Sequence, residues 1–158
     1  INSWNRRNLT MIGKITVIKS LILPNLTFLA SVTTISKEFL NEFKKMIYNF
    51  IWGNKKEKVK RITLCKDYLE GGLKMINIDD FLSAIQLSWV KRLTSTQFAN
   101  WKVIPLFFFN KFGENFSLFN MNPGSIKAIP KLSKTLPLFY LEIVKSWFTP
   151  NPRHYRLC

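Results

Sequence analysis

The chain has 158 residues, room for one domain or two small ones, and 47% of them are apolar, which excludes wholesale disorder. Lys and Arg outnumber Asp and Glu by 24 to 9, a net charge of +15, so a folded domain repels itself unless a polyanion is near. With two Cys (Cys65 and Cys158) and one His (His154), the four ligands of a structural zinc site are not available within one chain. The lack of a Cys framework fits a reducing, intracellular compartment, cytoplasm or nucleus.

Asn8 or Thr10 can cap a first helix, in which Met11, Ile15, Ile18 and Ile22 share one face with Ile12 beside them, while Lys14 and Lys19 point elsewhere. Pro24 ends that helix or starts the next, because it has no backbone N–H to donate. Leu26, Phe28 and Leu29 predict a second, shorter helix. Ser36 is a good N-cap for a third, Glu38 suits its first turn, and Phe39, Leu40, Phe43, Met46, Ile47, Phe50 and Ile51 form its apolar stripe before Gly53 stops it. Three such helices over residues 1–53 predict a small bundle.

Residues 54–61 hold five basic residues and one Glu, with no helical stripe, and read as an exposed basic loop. A strand near Ile62–Cys65, a turn at Gly71-Gly72 and a returning strand from Leu73 to Ile78 predict a short basic β-hairpin, so that residues 54–78 form a linker. Asp79 or Asp80 can cap a fourth helix from Phe81 to Leu93, opening a second helical section over residues 79–158. Trp101–Phe112 is aromatic-rich but carries Pro105, Asn120–Pro137 reads as loop, and a last helix is expected from Leu138 to Phe148 before Pro150 and Pro152 break it. There is no run of about 18 apolar residues, and so no expected membrane span. The chain opens at Ile1 rather than Met, as expected of a piece of something longer.

Asp79-Asp80 is the one adjacent carboxylate pair, the kind of hard-oxygen pair with which polymerases hold Mg²⁺. An amphipathic helix follows it directly, Asn77 stands where an aromatic would precede a catalytic pair, and Asp67 is the only upstream Asp, so helix capping fits better. No catalytic residue or metal site is therefore assigned. His154 lies in a tail between Arg153 and Arg156, and Gly71-Gly72-Leu73 lacks the spacing of a phosphate-binding loop. The basic residues suit phosphate contact better: Arg6, Arg7, Lys14 and Lys19 before and along the first helix, Lys55, Lys56, Lys58, Lys60 and Arg61 in the loop, and Lys91 and Arg92 late in the fourth helix. Lys14 and Lys19 are five residues apart, roughly 7.5 Å along a helix axis and within reach of successive phosphates. Of the five Trp, Trp52 and Trp89 fall on apolar faces and fit a core better than a base-stacking platform.

Taken in order, Trp4, Arg7, Leu9-Thr10, Gly13-Lys14 and Ile18-Lys19, then Phe50-x-Trp52, Lys60-Arg61, Gly71-Gly72-Leu73 and Trp89-x-Lys91-Arg92 resemble the segment after the catalytic palm of LINE-type (non-LTR retrotransposon) reverse transcriptases. The resemblance covers residues 4–93 and fades after about Asn100. It implies a thumb-like helical bundle and linker that grip an RNA or RNA–DNA template–primer duplex, mostly through phosphates. It also implies a parent RNA-directed DNA polymerase whose Mg²⁺ site lies outside this chain, which itself needs no cofactor. The Cys/His knuckle common further downstream in that family has no match here. Two alternatives stand beside it: a stand-alone nucleic-acid-binding or scaffold protein derived from such an element, and a protein that lies on a membrane surface through basic amphipathic helices.

Overall fold

Thr10 opens the first helix: its Oγ1 accepts the Gly13 backbone N–H at 3.2 Å, which satisfies one of the donors a helix start leaves over. In the computed structural model, which describes residues 4, 7–97, 99–112, 114–120 and 132–148, this start leads into one helical run rather than two. The α-helix α1 (Met11–Val17) passes into a π segment (Ile18–Ile22) and then into α2 (Leu23–Val32). Pro24 thus stands second in the new α segment, as expected of a residue that starts a helix, but without breaking the helical run. Within a regular α-helix its ring would press on the carbonyl four residues back. The wider π turn just before it, closed by Leu23 N–H donating to Ile18 O, lets the helix continue.

The π segment also moves the buried face. Ile15 and Ile18 are buried as the spacing predicts, but the next buried positions are Leu23, Leu26 and Ala30, with Ile22 only half-buried. The step from 18 to 23 is a π step, after which the α spacing resumes. Phe28 and Leu29, part of the apolar stretch that predicts the second helix, are exposed. The bundle of three helices expected over residues 1–53 is thus two helical runs, the second being α3 (Lys37–Trp52).

α3 follows the sequence closely. Ser36 Oγ accepts the Phe39 N–H at 3.2 Å, Glu38 sits in the first turn, and Ile47, Tyr48, Phe50 and Ile51 are buried. Gly53, at φ +60°, closes the helix. Its N–H donates to Phe50 O and the Asn54 N–H donates to Asn49 O, the paired bonds of a Schellman end.

The hairpin expected within residues 54–78 is replaced by a helical turn, α4 (Arg61–Leu64), and a 3₁₀ turn at Tyr68–Glu70. No strand occurs among the described residues. The returning segment does fold back, since Leu73 and Met75 N–H both donate to Leu64 O and Lys74 N–H donates to Lys66 O. One carbonyl taking two donors is not a ladder, and Lys74 at φ +52° leaves the extended conformation a strand requires. Leu64, Met75 and Ile78 join the core of this unit.

Asn77, not Asp79 or Asp80, caps the fourth long helix, α5 (Ile78–Thr94): its Oδ1 accepts the Asp79 N–H at 3.1 Å, and both Asp side chains lie in the first turn. By internal contacts the chain divides into Ile1–Ala30 with Ile35–Phe81, and Ser31–Thr34 with Leu82–Cys158. The second unit centres on Phe109, which is fully buried and rings with Phe116, Phe119 and Tyr140 at centroid distances of 5.3–5.6 Å. Pro105 is compatible with α6 (Val103–Phe109) because it stands in the first turn, where a helix does not use its N–H groups. α7 (Leu138–Phe148) has the expected bounds. Trp89 Nε1 donates to Ser31 O at 3.1 Å, and the Ser146 hydroxyl donates to Gln86 Oε1. The positions expected as loop at 121–131, the tail from 149 with Pro150, Pro152, His154 and Cys158, and Arg6 lie outside the described residues.

A Cβ built on Gly72 would stand 2.1 Å from the Lys66 carbonyl oxygen, whereas one on Gly71 would meet nothing within 4 Å but must hold φ +73°. Gly72→Ala is expected to destabilise the chain by about 2–3 kcal/mol through overpacking, and Gly71→Ala by about 1 kcal/mol through backbone strain. Urea unfolding of both variants checks this; equal losses would contradict the close approach at Gly72.

Candidate nucleic-acid interface

The end of α3 organises the basic residues of the first unit. Three carbonyls at a helix C-terminus carry partial negative charge and need donors. Gly53 and Asn54 supply two, and Lys14 supplies a third, its Nζ donating to Ile51 O at 3.2 Å while lying 5.7 Å from the Phe50 ring centroid. Lys14 is therefore part of the packing, with its charge directed at a helix end. The spacing that put Lys14 and Lys19 within reach of successive phosphates did not include this helix-end bond; Lys19 is half-buried in the π segment and makes no ion pair among the described residues.

The loop after Gly53 divides its cations. Arg61 donates to both carboxylate oxygens of Glu57 at 3.0–3.1 Å through Nε and lies 4.0 Å from the Tyr48 ring centroid. The hydrogen bond from Arg61 holds the Glu57 carboxyl below the ordinary glutamate range, and burial pushes the Tyr48 phenol up. Lys55, Lys56, Lys58 and Lys60 are all exposed, and none is in an ion pair among the described residues. Four cations thus stand within six positions, with no carboxylate of their own.

Of the remaining expected contacts, Arg7 is exposed with its guanidinium 4.5 Å from the Trp4 ring centroid. Lys91 and Arg92 belong to the second unit, both exposed, with Arg92 5.2 Å from the Trp89 ring centroid. Asp79, at the start of α5, accepts from Lys44 Nζ at 2.5 Å, and no group of three His, Cys, Asp or Glu side chains that could hold a metal ion occurs among the described residues. Trp52 and Trp89 pack inward as expected, the buried Trp52 Nε1 without a hydrogen-bond partner among the described residues. Trp101 is 43% exposed and stands beside the buried Lys102, and neither is among the expected phosphate contacts. The signal available there was an aromatic followed directly by a base, nine residues after Arg92, but Lys102 reads as one more surface lysine until its burial is known.

No protein-family model matches the chain.

Replacing Lys14 with Met should lower stability by about 1 kcal/mol, the scale of a cation at a helix C-terminus, and leave the salt dependence of any duplex binding by the chain unchanged. A shallower salt slope in Lys14→Met would return Lys14 to the phosphate contacts. The Glu57–Arg61 pair also predicts a pH effect. Because the folded carboxyl is lowered, its contribution is complete above the ordinary glutamate pKa and is lost as pH falls through the lowered one. Both partners are part-exposed, at 36% and 45%, so the effect stays under about 1 kcal/mol. Comparing thermal midpoints at neutral and acid pH, the drop should be smaller in Glu57→Gln than in the parent chain.

Proposed function

We propose that this chain is a nucleic-acid-gripping part of a LINE-type reverse transcriptase, contacting a template–primer duplex through phosphates and carrying no catalytic residues of its own. One observation supports this best: Lys55, Lys56, Lys58 and Lys60 are exposed together on a loop whose two ends are tied into the first unit, none in an ion pair among the described residues, the loop's Glu57 being taken by Arg61. Unpaired cations held so close cost repulsion that phosphates would relieve. Lys19 and Arg7 are secondary contacts in this proposal, with Lys91 and Arg92 in the second unit. Lys14 and Arg61, which the resemblance also suggests, hold the loop's surroundings instead. The duplex is RNA–DNA or RNA, and Mg²⁺ belongs to the parent polymerase.

A second reading has its own observation. The helical run Met11–Val32 is, by length and composition, apolar enough to cross a membrane, and Ile12, Leu21, Phe28, Leu29 and Val32 are exposed along it. Its Thr16, Ser20, Asn25 and Thr27 side chains each bond to the carbonyl four residues back, which lessens their need for water. The run also buries Ile15, Ile18, Leu23 and Leu26 against its own unit, which favours the first reading.

Titrating an RNA–DNA duplex into the chain at several salt concentrations tests both. With four phosphates neutralised by the loop, replacing Lys55, Lys56, Lys58 and Lys60 with Ala should flatten the slope of log K against log salt by about 3–4 units. A slope unchanged by the four substitutions would remove the loop from the interface. Flotation with anionic vesicles that exceeds duplex binding at physiological salt would favour the membrane reading.

A further inference from the structure

The second unit holds a cavity of about 500 Å³, apart from the lysine loop and sharing only Arg92 with the secondary duplex contacts proposed above. Trp89, Arg92, Ser95, Gln97, Trp101 and Lys102 line it, and none of its lining residues is acidic. That volume lies in the range of small-ligand sites.

Its chemistry is unusual for a structural gap. Lys102 is only 6% exposed and has no carboxylate partner among the described residues. Its Nζ donates to Ser95 O at 2.5 Å and to Ser95 Oγ at 2.8 Å, both neutral acceptors. A buried ammonium is costly unless an anion balances it, and an ammonium has three donors, of which two are used. Arg92 adds a second cation on the same wall, its guanidinium 5.2 Å from the Trp89 ring centroid and its side chain exposed. Trp89 meets Trp101 edge-to-face, with centroids 5.6 Å apart at 80°, so the Trp101 indole is braced by its neighbour while remaining 43% exposed. Gln97 contributes an amide with both donor and acceptor, able to meet a base edge.

We propose that this cavity is a nucleotide site: an unpaired base stacks on Trp101, and its phosphate is held between Lys102 and Arg92. Two cations without a counter-charge ask for an anion, and an exposed indole beside them asks for a flat ring; a nucleotide joins both in one molecule. The nucleotide is either free or part of a single strand. This site is separate from the lysine loop of the first unit and does not depend on the duplex-gripping proposal.

Calorimetric titration of the full chain with adenosine 5′-monophosphate, adenosine, ribose 5-phosphate and inorganic phosphate tests it. The monophosphate should bind at least about tenfold more tightly than the other three, as expected when stacking and phosphate contacts act together. Trp101→Ala should weaken it by about tenfold or more, Trp101→Phe should retain most of the affinity, and Arg92→Gln should weaken the monophosphate while leaving adenosine unchanged. A short oligoadenylate binding more tightly than the monophosphate, with the same dependence on Trp101, marks single strand as the source; equal binding marks the free nucleotide. Inorganic phosphate binding as well as the monophosphate, or indifference to Trp101→Ala in a variant with an unchanged circular dichroism spectrum, overturns the proposal. The Lys55, Lys56, Lys58, Lys60→Ala variant separates the two sites. It should keep monophosphate binding whether or not the chain grips duplex, and loss of that binding would place the nucleotide in the first unit and overturn the assignment.

Discussion

The carbonyls at the end of α3 set the terms for the first unit. A sixteen-residue helix that stops within a folded unit must find donors for its last oxygens, and three come from different places: the Gly53 and Asn54 backbone on one side, the Lys14 ammonium on the other. Gly53 makes this possible by turning left-handed without a Cβ to strain. The basic loop leaves from that closure and is caught again at Arg61, which lies over Tyr48 of the same helix, and at Leu64, which enters the core. The loop is therefore a bracket fixed at both ends. Cations at its ends are consumed in holding it, and the lysines between them are left for solvent or a ligand.

The second unit solves a different problem with different material. Its core is built from rings, with Phe109, Phe116, Phe119, Tyr140 and Phe148 around Leu and Val fillers. Aromatic pairs prefer tilted and edge-on contacts, and the interplanar angles here, mostly between about 40° and 90°, follow that preference. Phe116 adopts φ +59°, which costs about 1–2 kcal/mol for a residue with a Cβ, and its ring contacts with Phe109 and Phe119 offset that strain. Among so many rings Lys102 is the one buried charged side chain of the described residues.

Where the controlling physics is local, the sequence is readable. Ser36, Glu38 and Gly53 bound α3 because a cap and a left-handed stop act within a few residues, and α7 emerges from Pro137 for the same reason. The mainly α-helical class follows from those stripes. Features that depend on distant partners were not readable. Asp79 meets Lys44, thirty-five residues away, while the helix cap it was expected to provide goes to Asn77, a local competition between neighbouring Asx side chains. The Gly71-Gly72 turn was correctly placed, but the segments around it close onto a single carbonyl rather than pairing as strands. Among the candidate phosphate contacts, the four loop lysines kept the exposure their pattern suggests. Lys14 and Arg61 are engaged by partners invisible in a charge count, a helix end for Lys14 and Glu57 with an aromatic face for Arg61, although Arg61 itself stays exposed.

The π segment at Ile18–Ile22 has a bearing on how this helix tolerates change in length. It holds one residue more than an α-helix of the same rise, so the stripes before and after it are out of phase by that residue. Inserting or removing a residue within either α portion would rotate Ile15 or Leu26 out of the core. Within the π turn the chain already carries a surplus residue, and removing one there would tighten the turn to an α turn against the ring of Pro24. The proline thus guards the phase of the helix, holding the surplus in place as a fixed offset between its two buried faces.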